Sequence, residues 1–210
     1  MKITLSNIGK KFNRQWIFRD IDWVFEPRET TALVGNNGSG KSTLLQLIYN
    51  YQTYSKGSIS YELNGAILSE EHLVGKVSFA APYLELLEDF SLMEMLHFHF
   101  KLVSVQPEIT FAHMIAACGL SEQEDKPIKY FSSGMKQRLK LIIAIYADTP
   151  LLLLDEPCSN LDEQGILWYR NLMQTQLGKR SIIIASNQLF EYDFCDKQLP
   201  LVDFKKKPIA

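Results

Sequence analysis

Residues 35–43 constrain the fold more than any other part of the chain. They read Gly-Asn-Asn-Gly-Ser-Gly-Lys-Ser-Thr and fit the pattern G-x-x-x-x-G-K-[ST] at every required position. The apolar run Thr31–Val34 precedes them, and the segment Ser42–Asn50 carries leucines and an isoleucine at helical spacing. The sequence therefore predicts a buried strand, a tight glycine-rich loop and a helix in direct succession.

This loop has the chemistry of a nucleoside triphosphate site. Its glycines allow successive backbone N–H groups to point inward at a helix N-terminus, where anions are favoured. Lys41 would reach the β- and γ-phosphates, and the Ser42 hydroxyl would ligate Mg²⁺. The alternative is a glycine-rich turn without a ligand, which the flanking strand and helix disfavour. The expected binding residues are Gly35, Asn36, Asn37, Gly38, Ser39, Gly40, Lys41, Ser42 and Thr43.

Composition narrows the class of protein. The 210 residues suffice for one large domain, and 46% hydrophobic with 22% charged residues is ordinary for a globular protein. A net charge of −2 lacks the basic surface that nucleic acid requires, so we expect no nucleic-acid partner. Three scattered cysteines suit a reducing cytosol, and neither a signal peptide nor a membrane-spanning run is recognisable. The lysine run at 205–207 is predicted to be a solvated end, with a membrane-surface role as the alternative.

Hydrophobic periodicity predicts three structural regions. Alternating residues in 3–8, 21–25 and 57–63 predict an antiparallel layer, with a turn over 9–14. A helical insert of two or three helices follows at roughly 85–130. Ser91-Leu92-Met93-Glu94 has the spacing of a capping box there, and Pro107-Glu108 suits another helix start.

The third region returns to α/β character after residue 131. An amphipathic helix is predicted at 134–147 and a crossover helix at 164–177. Continuous apolar runs at 151–154 and 181–185 are typical of buried parallel strands. The predicted fold class is α/β: a P-loop NTPase core with a mostly parallel sheet, an N-terminal antiparallel β layer and a helical subdomain.

Two further motifs carry chemistry. Four leucines end in Asp155-Glu156, which places a carboxylate beside the phosphate loop if the two strands are neighbours. Asp155 would then hold Mg²⁺ through water, and Glu156 could polarise the attacking water as general base. Residues 131–138 read Phe-Ser-Ser-Gly-Met-Lys-Gln-Arg, a small-residue turn that opens a helix capped by Ser132 or Ser133.

Together with Ser159-Asn160-Leu161-Asp162, which matches a D-loop, these motifs resemble the ATP-binding cassette (ABC) family, the nucleotide-binding subunits of ABC transporters. The resemblance covers essentially the whole chain. It implies a single ABC ATP-binding domain over 1–210, with a helical subdomain at roughly 85–130 plus the helix from about 134.

The resemblance also implies a composite site. In the family, two cassettes pack head to tail, and each ATP lies between one subunit's phosphate loop and the other subunit's signature. Carried over, the signature in trans is Ser132, Ser133, Gly134 and Met135, and the D-loop residues are Ser159 and Asp162. Phe12 matches the aromatic that stacks on adenine, with Trp16 as the second candidate. ATP and Mg²⁺ are the implied ligands, with Ser42 and Asp155 on the metal.

The chain departs from the family pattern at three places. Ser133 and Met135 replace the usual glycine and glutamine of the signature, and serine is small enough to keep the contact. Pro82 occupies the slot of a glutamine that links Mg²⁺ and water to the membrane partner. Asn187 stands where histidine is usual; it can hydrogen-bond a γ-phosphate oxygen but cannot carry a proton at neutral pH.

The sequence therefore predicts an ATP-binding and ATP-hydrolysing subunit that powers a separate transmembrane permease through ATP-driven dimerisation. Such a subunit would be cytoplasmic, held at the inner face of the membrane by the permease, and paired with itself or with another cassette. The alternative is a slow or non-hydrolysing ATP-gated regulatory cassette, favoured by Pro82 and Asn187. A soluble cassette acting on DNA or ribosomes, or another P-loop enzyme, fits the single cassette and the motif set less well.

Overall fold

Nine strands form two sheets in residues 1–204, the part of the chain that this computed structural model describes. The strands are β1 (Lys2–Phe12), β2 (Gln15–Phe25), β3 (Thr30–Val34), β4 (Lys56–Leu63), β5 (Ala66–Leu68), β6 (Val77–Ala80), β7 (Leu151–Asp155), β8 (Ser181–Ser186) and β9 (Lys197–Pro200). The antiparallel sheet has the order β2-β1-β4-β5, and the parallel sheet has the order β6-β7-β8-β3-β9. The predicted α/β fold class is confirmed. The lysine run at 205–207 lies outside the described residues.

The helices are α1 (Lys41–Ile48), α2 (Leu92–Leu102), α3 (Phe111–Ala117), α4 (Ser133–Tyr146) and α5 (Glu163–Gln174). Helix α2 begins at the predicted capping box: the Ser91 N–H donates to Glu94 Oε2 at 2.8 Å, and the Glu94 N–H donates to Ser91 Oγ at 3.2 Å. Within residues 1–204, no helix has both the length and the apolar character needed to cross a membrane.

Helix α3 begins later than predicted. The expected start at Pro107-Glu108 is wrong because Glu108 has a φ of 69°, in the left-handed region that a right-handed helix excludes. Thr110 is the N-cap instead, and its hydroxyl oxygen accepts a hydrogen bond from the His113 N–H at 3.1 Å. The chain between α2 and α3 is therefore a loop.

The turn between β1 and β2 is shorter than the predicted turn over 9–14. Phe12 still pairs with Gln15, so only Asn13 and Arg14 connect the strands. Asn13 has a φ of 52°, which suits a two-residue hairpin turn. The two strands therefore extend as a long ribbon whose tip carries Phe12.

Strands β7 and β8 divide the core into two layers because successive side chains point to opposite faces of a sheet. Leu151 and Leu153 pack with α1 and the antiparallel sheet, whereas Leu152 and Leu154 pack with α2, α4 and α5. Both faces of the parallel sheet are thus covered, which explains why its strands are apolar throughout.

The strand that carries Asp155 does not neighbour the strand that enters the phosphate loop. Strand β8 lies between β7 and β3, and Asp155 pairs in register with Ala185 rather than with a residue of β3. All three strands are parallel, so their carboxyl ends meet at the same edge of the sheet. That edge holds the candidate site.

Candidate nucleotide-binding site

The glycine-rich loop runs from the end of β3 to the start of α1 and presses against β2. Gly40 has a φ of 100°, and a Cβ built there would lie 2.6 Å from Ile17 Cγ2 and 2.8 Å from Phe18 Cδ1. Both the backbone conformation and the space therefore exclude larger residues. Because β2 supports the loop, the ribbon that carries Phe12 lies on the same side of the molecule.

Lys41 is folded back over this loop. Its Nζ donates to the carbonyl oxygens of Gly35 at 2.8 Å and Asn36 at 3.3 Å, and the residue is only 5% exposed. Burial lowers the pKa of Lys41, and the nearby carboxylates of Glu156 and Asp155 oppose that shift. A cation held inside a cradle of carbonyls and amides is suited to a phosphate group.

Asp155 is a buried carboxylate at the sheet edge, at the carboxyl end of β7. It is 1% exposed, and neither carboxylate oxygen has a hydrogen-bond partner among residues 1–204. The hydroxyls of Ser42 and Tyr83 lie near it without closing a hydrogen bond. Burial raises the pKa of Asp155, and these hydroxyls oppose the shift.

An unpartnered buried carboxylate is costly unless a cation or a donor satisfies it. A carboxylate next to a hydroxyl is a set of hard oxygen ligands of the kind that Mg²⁺ prefers, completed by water and phosphate oxygens. The residues present therefore fit the metal that the sequence predicts, with Asp155 and Ser42 as the groups that would hold it.

Glu156 and Asn187 face an open groove beside the loop. The groove has a volume of about 420 Å³ and is lined by Asn37, Glu156, Ser159 and Asn187, among others. The Asn187 amide Nδ2 donates to Asn37 Oδ1 at 2.9 Å, so the predicted γ-phosphate residue contacts the phosphate loop directly. The Glu156 N–H donates to the Ala185 carbonyl at 2.9 Å, which fixes the turn after β7.

The signature residues lie in a different groove, of about 410 Å³. Ser132 is the N-cap of α4, with its hydroxyl oxygen accepting from the Met135 N–H at 3.2 Å; Ser133 is the first residue of the helix. A Cβ at Gly134 would lie 3.1 Å from the Asn160 carbonyl oxygen, so the signature and the D-loop are in close contact. Asp162 also lines this groove.

The two predicted D-loop residues face different grooves. Asp162 is the N-cap of α5, where its Oδ1 accepts from the Gly165 N–H at 2.8 Å. Ser159 lies beside Glu156, and its N–H donates to the Glu156 carbonyl at 3.0 Å. The D-loop thus connects the groove beside the phosphate loop to the groove beside the signature.

The two candidates for adenine stacking differ in the solvent exposure of their side chains. Phe12 is 46% exposed, with the Lys10 ammonium 4.9 Å from its ring centroid. Trp16 is half-buried, with Lys11 and Arg19 cations 5.6 and 5.3 Å from its ring. The Phe12 ring is the more exposed of the two, which favours it as the stacking residue.

The sequence predicted the loop Pro82-Tyr83-Leu84 as part of a permease-docking groove, but it did not predict the place of Tyr83 beside Asp155, nor any role for Glu191. Tyr83 follows Pro82 and brings its hydroxyl near Asp155; burial raises the pKa of Tyr83, and the Asp155 carboxylate adds to the rise. The carboxylate of Glu191 is 3% exposed, accepts from the Cys158 N–H at 2.7 Å and hydrogen-bonds Ser186 Oγ. It therefore ties the turn after β7 to the end of β8.

These elements define a P-loop nucleotide-binding cassette, and comparison with known proteins agrees. The sequence model of the ABC transporter family matches residues 18–159, so the chain belongs to this family as a nucleotide-binding subunit. The lantibiotic transport ATP-binding protein SrtF of Streptococcus pyogenes is 27% identical over 192 residues, covering 91% of this chain and 82% of that protein. The family resemblance inferred from the motifs is confirmed.

One further relative agrees with this assignment, and one solved structure shares the fold. The cytochrome c biogenesis ATP-binding export protein CcmA of Rhodopseudomonas palustris is 31% identical over 173 residues, covering 81% of this chain and 83% of that protein. A solved ATP-binding subunit of an ABC transporter matches with a TM-score of 0.80 at 24% identity, over 96% of this chain and 87% of that one. This structural match shows that the two chains share their fold.

Proposed function

We propose that the chain is the ATPase subunit of a transporter whose permease is a separate protein. The observation that carries the proposal is the buried, unpartnered carboxylate of Asp155 next to Ser42 and Lys41, with Glu156 one residue further on. Such a set is costly without a ligand, and MgATP supplies both the cation and the phosphate that it needs.

In this proposal each residue has a defined task. The phosphate loop and Lys41 hold the β- and γ-phosphates, and Phe12 stacks on adenine. Ser42 and Asp155 would hold Mg²⁺, which would neutralise charge that develops on the phosphates. Glu156 accepts the proton of the attacking water. The Asn187 amide donates a hydrogen bond to a γ-phosphate oxygen and orients it.

The proposed site is completed by a second cassette. Within one chain, the signature lines a separate groove from that of Glu156, and the N-terminus of α4 is exposed at Ser132 and Ser133. An exposed helix N-terminus favours a phosphate. Two chains, or this chain and another cassette, would therefore pair head to tail, with the residues 132–135 of one on the ATP of the other.

The proposed permease docks where the helical subdomain meets the core. A groove of about 440 Å³ is lined by Tyr49, Leu73, Phe79 and Leu102, among others, and Val74 and Leu102 at its rim are 88% and 70% exposed. An exposed apolar groove of this kind favours a partner protein. The chain would act as a single ABC domain over 1–210, with its helical subdomain at about 85–130. Docking of the permease in this groove would hold that domain at the inner face of the membrane.

A slow regulatory cassette is the second candidate function, and Asn187 is the observation that favours it. An amide at this position hydrogen-bonds Asn37 but cannot take up a proton as the usual histidine does. Nucleotide binding would then gate a partner without rapid turnover.

Turnover of ATP by the wild type and by Glu156→Gln separates the two functions. The ATPase proposal predicts Mg²⁺-dependent turnover that falls by roughly a hundredfold or more in Glu156→Gln, because a general base contributes about that much. ATP affinity should be unchanged in this variant. A wild type that is no faster than Glu156→Gln, even with its co-purified permease present, contradicts the ATPase proposal and leaves the regulatory cassette.

A further inference from the structure

The loop after β6 passes beside the carboxylate of Asp155. Strand β6 is parallel to β7 with Ala80 opposite Leu154, so the chain that continues from β6 runs past the position of Asp155. Tyr83 lies in this loop, and its hydroxyl is near both the Asp155 carboxylate and the Gln46 side chain.

Hydrogen bonds on both sides hold the loop backbone at Tyr83, a residue that is 45% exposed. The Pro82 carbonyl oxygen accepts from Lys140 Nζ at 2.9 Å, and the Leu84 N–H donates to the Ala81 carbonyl at 3.2 Å, which closes a turn around Tyr83. The ring itself packs edge-on against Phe79, with centroids 6.2 Å apart.

Phe79 joins Tyr83 to the apolar groove. Its ring contacts that of Tyr49 at a centroid distance of 5.3 Å, and both Phe79 and Tyr49 line the groove. Tyr49 is the C-cap residue of α1, the helix that carries Lys41 and Ser42. Three rings therefore form a continuous row from the groove to Asp155.

We propose that Tyr83 is a positioning residue for the metal end of the nucleotide site, an inference that rests on the proposed function above. In the metal-bound site its hydroxyl would donate to one oxygen of Asp155, or to a water on that oxygen, and would so direct the carboxylate toward a cation beside Ser42. The neighbouring Pro82 has no side-chain donor for this task. Groups that orient a metal-binding carboxylate tune its metal affinity without contacting the metal.

The test is Tyr83→Phe, which removes the hydroxyl and keeps the ring contact with Phe79. The probe is Mn²⁺, titrated in the presence of saturating ATP and followed by the loss of the free-ion signal in electron paramagnetic resonance. We expect the apparent Mn²⁺ dissociation constant to rise by roughly tenfold. ATP binding in EDTA, measured by calorimetry, should be unchanged.

Tyr49→Phe is the matched control because it removes the same atom from the far end of the ring row. It should titrate like the wild type. The proposal is overturned if Tyr83→Phe binds Mn²⁺ with wild-type affinity. It is also overturned if Tyr83→Phe weakens ATP binding in EDTA to the same degree, which would show a structural role.

Lys41→Ala separates this inference from the function on which it rests. Loss of ATP binding in Lys41→Ala together with unchanged Mn²⁺ binding in Tyr83→Phe refutes only the role of Tyr83. Wild-type ATP binding in Lys41→Ala refutes the nucleotide site itself, and the role of Tyr83 with it.

Discussion

The edge of the parallel sheet and the signature groove differ in how their polar groups are satisfied within one chain. At the sheet edge, Lys41 and Asp155 are 5% and 1% exposed, and Asp155 has no hydrogen-bond partner within the described residues. In the signature groove, Ser132 and Asp162 are exposed, and each already accepts a backbone N–H as a helix cap.

From this difference we expect the two regions to bind in sequence. A desolvated cation and carboxylate gain from a phosphate and a divalent cation, so the sheet edge should bind MgATP in a single chain. The signature groove offers an exposed helix N-terminus with its nearest side chains already used in caps, so it should engage only when a second cassette brings phosphate to it. The following variants test that contrast.

The largest effect is expected for Lys41→Ala. This change removes the ammonium from the phosphate cradle, and charge-assisted hydrogen bonds are among the strongest in proteins. ATP affinity should fall by roughly a hundredfold or more, measured by calorimetry on the single chain. Ser133→Ala, in the signature groove, is the control and should bind ATP as the wild type does. Equal losses of ATP affinity in the two variants would show that the sheet edge and the signature groove do not differ in how they bind ATP.

Gly134→Val should have its effect only on pairing. A Cβ at this position would lie 3.1 Å from the Asn160 carbonyl oxygen, closer than ordinary van der Waals contact, so the signature or the D-loop must give by a few tenths of an ångström. We expect ATP-driven dimerisation to weaken at least tenfold by sedimentation while ATP affinity of the single chain is retained. A cooperative unfolding transition like that of the parent shows that the fold is intact. Unimpaired dimerisation would show that residue 134 does not lie at the interface.

Asn187→His tests whether the amide at the sheet edge limits ATP turnover. The amide at 187 contacts Asn37 in the phosphate loop, and an imidazole there would add a group that titrates near neutral pH. ATP turnover should rise several-fold and acquire a pH dependence near about 6.5. Asn187→Gln, which keeps the amide, should bring no such gain. An unchanged rate in Asn187→His would show that this position does not limit turnover.

The smallest effect is expected for Ser132→Ala and Thr110→Ala, which each remove a helix N-cap. Each should lower the free energy of unfolding by about 1 kcal/mol in urea titrations. Only Ser132→Ala should also weaken ATP-driven dimerisation, because Thr110 caps α3 away from the signature groove. If both variants dimerise equally well, Ser132 acts only as a cap.

Local chemistry explains which features the sequence predicted correctly. The capping box of α2, the loop between β3 and α1, and the helix from Ser133 each depend on residues within a few positions of one another. Their geometry is therefore encoded in short patterns. The α/β class followed from the apolar runs at 151–154 and 181–185, which are typical of strands covered on both faces.

Features that depend on distant pairing were missed. Nothing local in Leu151–Leu154 indicates that β8 separates this strand from β3. Tyr83 lies near Asp155 because β6 pairs with β7. Its place directly after Pro82, the residue in the slot of the usual glutamine, was the sequence signal that could have found it. The buried carboxylate of Glu191 hydrogen-bonds Cys158 and Ser186 and so links the turn after β7 to the end of β8. No sequence motif predicted this link.

The composite site is tested most directly by the mass of Glu156→Gln in solution. This variant keeps the groups that bind ATP and loses the general base, so it should hold ATP without consuming it. Light scattering should report a single chain without nucleotide and a dimer with saturating MgATP, and Lys41→Ala in the same background should remain a single chain. If Glu156→Gln remains a single chain at saturating MgATP, the head-to-tail pairing proposed here is contradicted.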